Sequence, residues 1–166
     1  QRQGAVYARQ VYGVQAASDW PVVIANCAPY QQDLWQSCKG LWCGDLLTAD
    51  GGSLIWVTQA REGIGGMPQL VDYIGTAQGE LESQLSRAKA DLAVLATGVM
   101  IGRKKSRLRI SLVSEGLSRG TARRMGLDWY ATLEQAVIAA VNRLPESQHQ
   151  GCLAVIPRAG ITLPFQ

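Results

Sequence analysis

The chain has a single histidine and a single phenylalanine among 166 residues, and it has no Cys-x-x-Cys pair. One imidazole cannot build a multi-histidine metal centre, and the sequence assembles no Ser-His-Asp or Cys-His set around it. His149 lies in the polar stretch Glu146-Ser147-Gln148-His149-Gln150, away from any other candidate ligand. The four cysteines, Cys27, Cys38, Cys43 and Cys152, fit neither zinc-ligand spacing nor a secreted disulfide framework. They read as reduced thiols of a cytoplasmic protein. Charge is also scarce, at 17% of residues with a formal net of +3, too little to argue for a nucleic-acid partner. The densest basic run, Arg103-Lys104-Lys105-Ser106-Arg107-Leu108-Arg109, has no interleaved aromatics and reads as a solvated helix-to-strand connection. No apolar run approaches the roughly 18–20 residues of a membrane span, so no membrane association is expected.

What the chain does have is apolar material, 47% of residues. So much of it beside so little charge predicts that one face is covered by something else. The polar opening stretch carries no signal peptide and no initiator Met, and Val6, Tyr7, Gln10 and Val11 recur at helical spacing. The chain is therefore expected to be one α/β domain, residues 1–166, cut from a longer protein.

Hydrophobic periodicity predicts an amphipathic helix over 2–15 and a buried parallel strand over Trp20 to Cys27. A helix capped by Asp33, with Gln36 as its capping-box partner, carries Leu34, Leu41, Trp42 and Leu46 and ends before Asp50-Gly51-Gly52. A second strand follows over Ser53 to Gln59. Gly63-Ile64-Gly65-Gly66 reads as a plain turn, since it has neither a dinucleotide fingerprint nor a Walker lysine. Beyond it come a short helix over Gln69 to Ile74, a long one from about Gln78 to Gly102, and a third strand over Arg107 to Ser114. A helix over Leu133 to Leu144, a fourth strand over Cys152 to Pro157 and an extended piece from Ile161 to Phe165 complete the series. Strands separated by helices predict a Rossmann-like open sheet, mostly parallel, with helices on both faces.

In such sheets ligands sit outside the carboxyl ends of the strands. The residues expected there are Trp35, Gln36 and Lys39 at the start of the second helix, with Trp35 and Lys39 on one side of it. Asn26 after the first strand and Arg61 and Glu62 after the second complete the possible pocket, the last two as ligand contacts or as an internal ion pair.

The stretches Asp33-Leu34-Trp35-Gln36-x-x-Lys39, Asp50-Gly51-Gly52-Ser53-Leu54-Ile55 and Ala60-Arg61-Glu62-Gly63, with the ending Val155-Ile156-Pro157-Arg158-Ala159-Gly160-Ile161, occur in this order along nearly the whole chain. Together they resemble the C-terminal domain of the nickel-dependent lactate racemase family. The resemblance implies a domain that contacts a small 2-hydroxy acid through Gln36 and Lys39, with Trp35 walling the pocket. It also implies a partner, the N-terminal domain of the same chain, which supplies the catalytic histidines and holds a nickel pincer nucleotide. This stretch would then hold no catalytic residue, no metal ligand and no bound cofactor. Gln31 stands where an Asp is common in that family, so the resemblance does not extend to lactate as the substrate. The alternative reading is a non-catalytic Rossmann-like module that binds a ligand or partner without turnover.

Overall fold

The computed structural model describes residues 2–85 and 92–165. Its centre is a five-stranded, wholly parallel sheet. The strands are β2 (Trp20–Asn26), β3 (Thr48–Thr58), β4 (Arg109–Ser114), β5 (Asp128–Tyr130) and β6 (Leu153–Ile156), in the order β5-β4-β3-β2-β6. The chain steps outward from β2 to β5 and then returns to the far side of β2. The connections on either side of β2 therefore diverge, which is the switch point where open α/β sheets form crevices.

Helices cover both faces, unevenly. On one face Val23, Ala25, Leu54, Trp56 and Leu112 pack beneath α2 (Leu34–Leu47), α3 (Gln69–Gly75), α5 (Leu92–Arg107) and α6 (Arg119–Arg124). The opposite face presents Val22, Ile24 and Ile55 to Ala136 and Ala140 of α7 (Leu133–Val141). The expected fold class is thus the observed one.

α2 is buried on almost every side, and glycine is what lets it lie so low on the sheet. A Cβ at Gly44 would come within 2.5 Å of a Leu54 methyl and 3.0 Å of the Ala25 methyl. Its start is bolted to the carboxyl end of β3 by polar contacts: the Ser37 and Thr58 hydroxyls are 2.6 Å apart, and the buried Trp56 indole N–H donates to the Ser37 carbonyl at 3.1 Å. These contacts hold the helix opening against the strand end where the candidate residues cluster.

Several expectations are corrected. The first helix, α1 (Arg2–Tyr12), stops three residues early because β1 (Gly13–Gln15) pairs in parallel with β7 (Leu163–Phe165). β3 begins at Thr48 rather than Ser53. Trp20 pairs with Thr48 and Val22 with Ser53, so the Asp50-Gly51-Gly52 turn is absorbed into the strand as an irregularity, with Gly51 at a φ of 77°. The long helix expected from Gln78 to Gly102 is described as α4 (Gln78–Leu85) and α5, and the residues between them lie outside the described ones. α5 runs on to Arg107, so the third strand begins at Arg109. Of the apolar residues that α2 carries, Leu34 and Leu41 are buried and Leu46 is exposed. α6 and β5 are additions that the pattern did not predict.

Candidate functional site

The opening of α2 is capped as expected on one side only. Asp33 accepts a hydrogen bond from the Gln36 backbone N–H at 2.7 Å, but the Gln36 side chain does not turn back to close a capping box. Its Oε1 instead accepts from Lys39 Nζ at 2.5 Å. The Lys39 ammonium also stands 3.8 Å from the centroid of the Tyr30 ring. That ring is seated against a bare backbone: a Cβ at Gly160, in the turn after β6, would come within 2.9 Å of it. Lys39 and Trp35 line one shallow cleft of about 120 Å³ together with Cys38, Trp42 and Thr97.

A second group gathers at the carboxyl ends of β2, β3 and β4. Gln31, Gln32, Gln59 and Arg61 line a cleft of about 300 Å³ beside the cis peptide bond between Ala28 and Pro29. An adjoining cleft of about 310 Å³ shares Gln31 and Gln59 and adds Asn26, Ser114, Glu115 and Thr132. Arg61 Nε donates to Gln59 Oε1 at 3.1 Å, and its backbone N–H donates to the Gln31 carbonyl at 3.4 Å. Ala60, just before it, adopts a φ of 45°, a conformation uncommon outside glycine that turns the chain sharply at the strand end.

The structure thus separates residues that the sequence placed in one crevice. Trp35, Gln36 and Lys39 come together on the flank of α2. Asn26 and Arg61 face the neighbouring clefts, where Asn26 Oδ1 accepts from the Gln31 side-chain amide. Glu62 lines neither cleft, and neither Arg61 nor Glu62 forms an ion pair among the described residues, so the internal-pair alternative does not hold. Tyr30 and Gln59 were missed. Tyr30 directly precedes Gln31 and Gln32, and Gln59 lies between the end of β3 and Ala60-Arg61; only the cleft geometry makes either stand out.

Among the described residues no three His, Cys, Asp or Glu side chains gather as a ligand set, and His149 Nε2 lies 3.1 Å from the Leu144 carbonyl. All four cysteines are free and buried. Burial pushes the Cys27 thiol up to about 12 and Cys43 up to about 11, and it raises Cys38 as well. Such thiols are protonated and inert at neutral pH. These side chains therefore do not fit a nickel cofactor as its ligands.

The profile of the lactate racemase C-terminal domain matches residues 14–163. The chain belongs to that family. Among solved structures, the lactate racemase apoprotein from Thermoanaerobacterium thermosaccharolyticum superposes with a TM-score of 0.80 at 20% identity, over 99% of this chain and 40% of that one. A structural-genomics protein from Thermotoga maritima superposes with a TM-score of 0.65 at 12% identity, over 99% of this chain and 41% of that one. At such identities the likeness speaks to the fold. No curated protein matches. The chain therefore spans about two fifths of the length of the solved structures it resembles.

Proposed function

We propose that this domain contacts the substrate in a lactate-racemase-like isomerase that racemises or epimerises a 2-hydroxy acid. The nickel pincer nucleotide that the family resemblance implies would be held by the rest of that enzyme, through residues outside this chain. The observation that carries the reading is the setting of Lys39, whose ammonium is held by an amide oxygen and an aromatic face with no carboxylate beside it among the described residues. A cation left without a counter-charge at the mouth of a small pocket suits the carboxylate of an incoming acid. Gln36 would keep the ammonium aimed and share in orienting the acid, and Trp35 would wall the pocket against water when the enzyme closes.

The rest of the same chain is proposed as the partner. α1 supports this, because Val6, Tyr7, Val11 and Tyr12 are each at least half exposed and its apolar stripe meets little of this domain. No helix among the described residues is long and apolar enough to cross a membrane, and with free cysteines a cytoplasmic setting is proposed.

The test is Lys39→Ala in the two-domain enzyme. The expected loss in kcat/KM is about 30-fold to 1000-fold, or about 2–4 kcal/mol, with partial rescue by Lys39→Arg because a planar fork replaces a compact point charge. A kcat/KM within threefold of wild type would remove the carboxylate role from Lys39.

A further inference from the structure

We infer that Tyr30 is a positioning residue for the Lys39 ammonium: its ring face fixes where the cation stands and which way its free N–H points. The inference rests on the proposed function, which gives Lys39 the substrate carboxylate, and it adds a residue from outside the α2 motif.

A lysine alone makes a poor clamp. Its ammonium rides on a flexible four-carbon stem, so an exposed lysine spreads its charge over many positions. Lys39 is exposed, and the side chain that accepts from it, Gln36, is itself a flexible chain on the same helix. One contact of that kind leaves the pair free to swing together. Tyr30 supplies a second point from a different part of the fold, with its ring centroid 3.8 Å from Lys39 Nζ.

That second point is rigid. The Tyr30 backbone N–H donates to the Cys27 carbonyl at 2.9 Å. Cys27 is itself fully buried, and the Trp56 indole N–H donates to its sulfur at 2.8 Å. The ring lies against Gly160, where a Cβ would come within 2.9 Å of it and within 2.7 Å of the Cys27 carbonyl oxygen. The turn after β2, the turn after β6 and the ring are therefore packed as one unit, with no slack for the ring to tilt toward Gly160.

The chemistry of the contact suits a clamp. An ammonium has three N–H donors. One is spent on Gln36 Oε1, and the ring face takes up a second direction, which leaves one N–H for a carboxylate. A ring face attracts the cation without carrying a formal negative charge, so it holds the ammonium and leaves its charge for the substrate. A carboxylate at position 30 would hold the cation too, but it would compete with the substrate for it. An aliphatic side chain there would not hold it at all.

The experiment compares Tyr30→Leu with Tyr30→Phe in two measurements. In the 166-residue chain, the Lys39 Hε NMR signals, assigned by their loss in Lys39→Arg, are expected upfield of their random-coil position because of the ring current. Tyr30→Phe should keep that shift and Tyr30→Leu should abolish it. In the two-domain enzyme, Tyr30→Leu should lower kcat/KM about fivefold to thirtyfold, as for a cation–π contact desolvated on closure, and Tyr30→Phe should stay within twofold. In a Lys39→Ala background, Tyr30→Leu should change kcat/KM by less than twofold, because nothing is left to position. A ring that only supported the fold would cost the same in both backgrounds. The inference alone is overturned if Tyr30→Leu keeps the upfield shift, or if its own loss is under twofold while Lys39→Ala is impaired. It is also overturned if that loss is undiminished in the Lys39→Ala background. If Lys39→Ala itself costs less than threefold, the proposed function falls and this inference falls with it.

Discussion

Two groups of cations in this domain have opposite fates. At the end of α5 every cation of the basic run that lies on the helix is consumed by the fold. Arg103 pairs with Glu82 at 2.9 Å, Lys104 and Arg107 both pair with Asp45, and Arg107 also reaches Asp50 at 2.6 Å. Lys105 donates to the carbonyls of Ile74 and Met125 at 2.7 and 2.6 Å. At the carboxyl edge of the sheet, Lys39 and Arg61 are held only by neutral groups, a ring and two glutamine oxygens. The basic run expected to be solvated is instead a clamp tying α5 to α2, to the start of β3 and to the ends of α3 and α6. Charge that is dense along a sequence is here spent internally, and isolated cations with neutral company are where charge remains for a ligand.

The comparison is broken most directly at Asp45, whose carboxylate serves two cations and is only 16% exposed, with Lys104 at 13%. Removing one member of a largely buried cluster leaves the others desolvated without a counter-charge. Asp45→Ala is expected to cost about 3 kcal/mol of unfolding free energy in urea. Asp50→Ala, at a carboxylate 80% exposed, should cost well under about 1 kcal/mol. If the two variants unfold alike, the α5 cations are not consumed in the sense argued.

Lys105 sharpens the comparison through pH. Its two carbonyl acceptors belong to the closing turns of α3 and α6, so Lys105→Met should cost about 1–3 kcal/mol by leaving them unsatisfied. Burial holds the Lys105 ammonium below its ordinary value, so the unfolded chain binds more protons than the folded one in the window beneath pH 10.5. Stability due to this group therefore rises as pH rises through that window. The buried thiols act oppositely, with Cys27 and Cys43 raised from 9.0, so they remove stability above pH 9. The difference between wild type and Lys105→Met across pH 8–10.5 isolates the lysine, and the gap should narrow at acidic pH relative to alkaline pH for the part due to desolvation. A gap independent of pH would mean that the ammonium is not desolvated.

The sheet was legible because its central strands are nearly continuous apolar runs, such as Val22-Val23-Ile24-Ala25 and Leu54-Ile55-Trp56-Val57, separated by capped helices. Asp33 was readable as a cap for the same local reason, and it accepts from the backbone N–H three residues on. The pairing of Gly13–Gln15 with Leu163–Phe165 was not legible, because it joins three-residue strands from opposite ends of the chain and leaves no periodicity. β5 is equally short. For the candidate site, the spacing of Trp35 and Lys39 was enough to put them in one cleft. The sequence could not show that Asn26 and Arg61 would open onto a different one, since that depends on the turn at Ala60 and on which amide atom each glutamine engages.

The smallest expected effect is the most discriminating one for the comparison. If Lys39 and Arg61 are reserved for ligands, losing either should barely change folding. Lys39 gains a cation–π contact of about 0.5–1 kcal/mol at an exposed site, and it loses part of that to side-chain ordering and to the positive end of the α2 dipole. Arg61 is exposed, and its single side-chain hydrogen bond to Gln59 is replaceable by water. Lys39→Ala and Arg61→Gln should each stay within about 0.5 kcal/mol of wild type in urea unfolding at pH 7, far below Asp45→Ala. A loss above about 1 kcal/mol at either position would show that the fold uses that cation in the way it uses those of α5, and the division between spent and available charge would fail there.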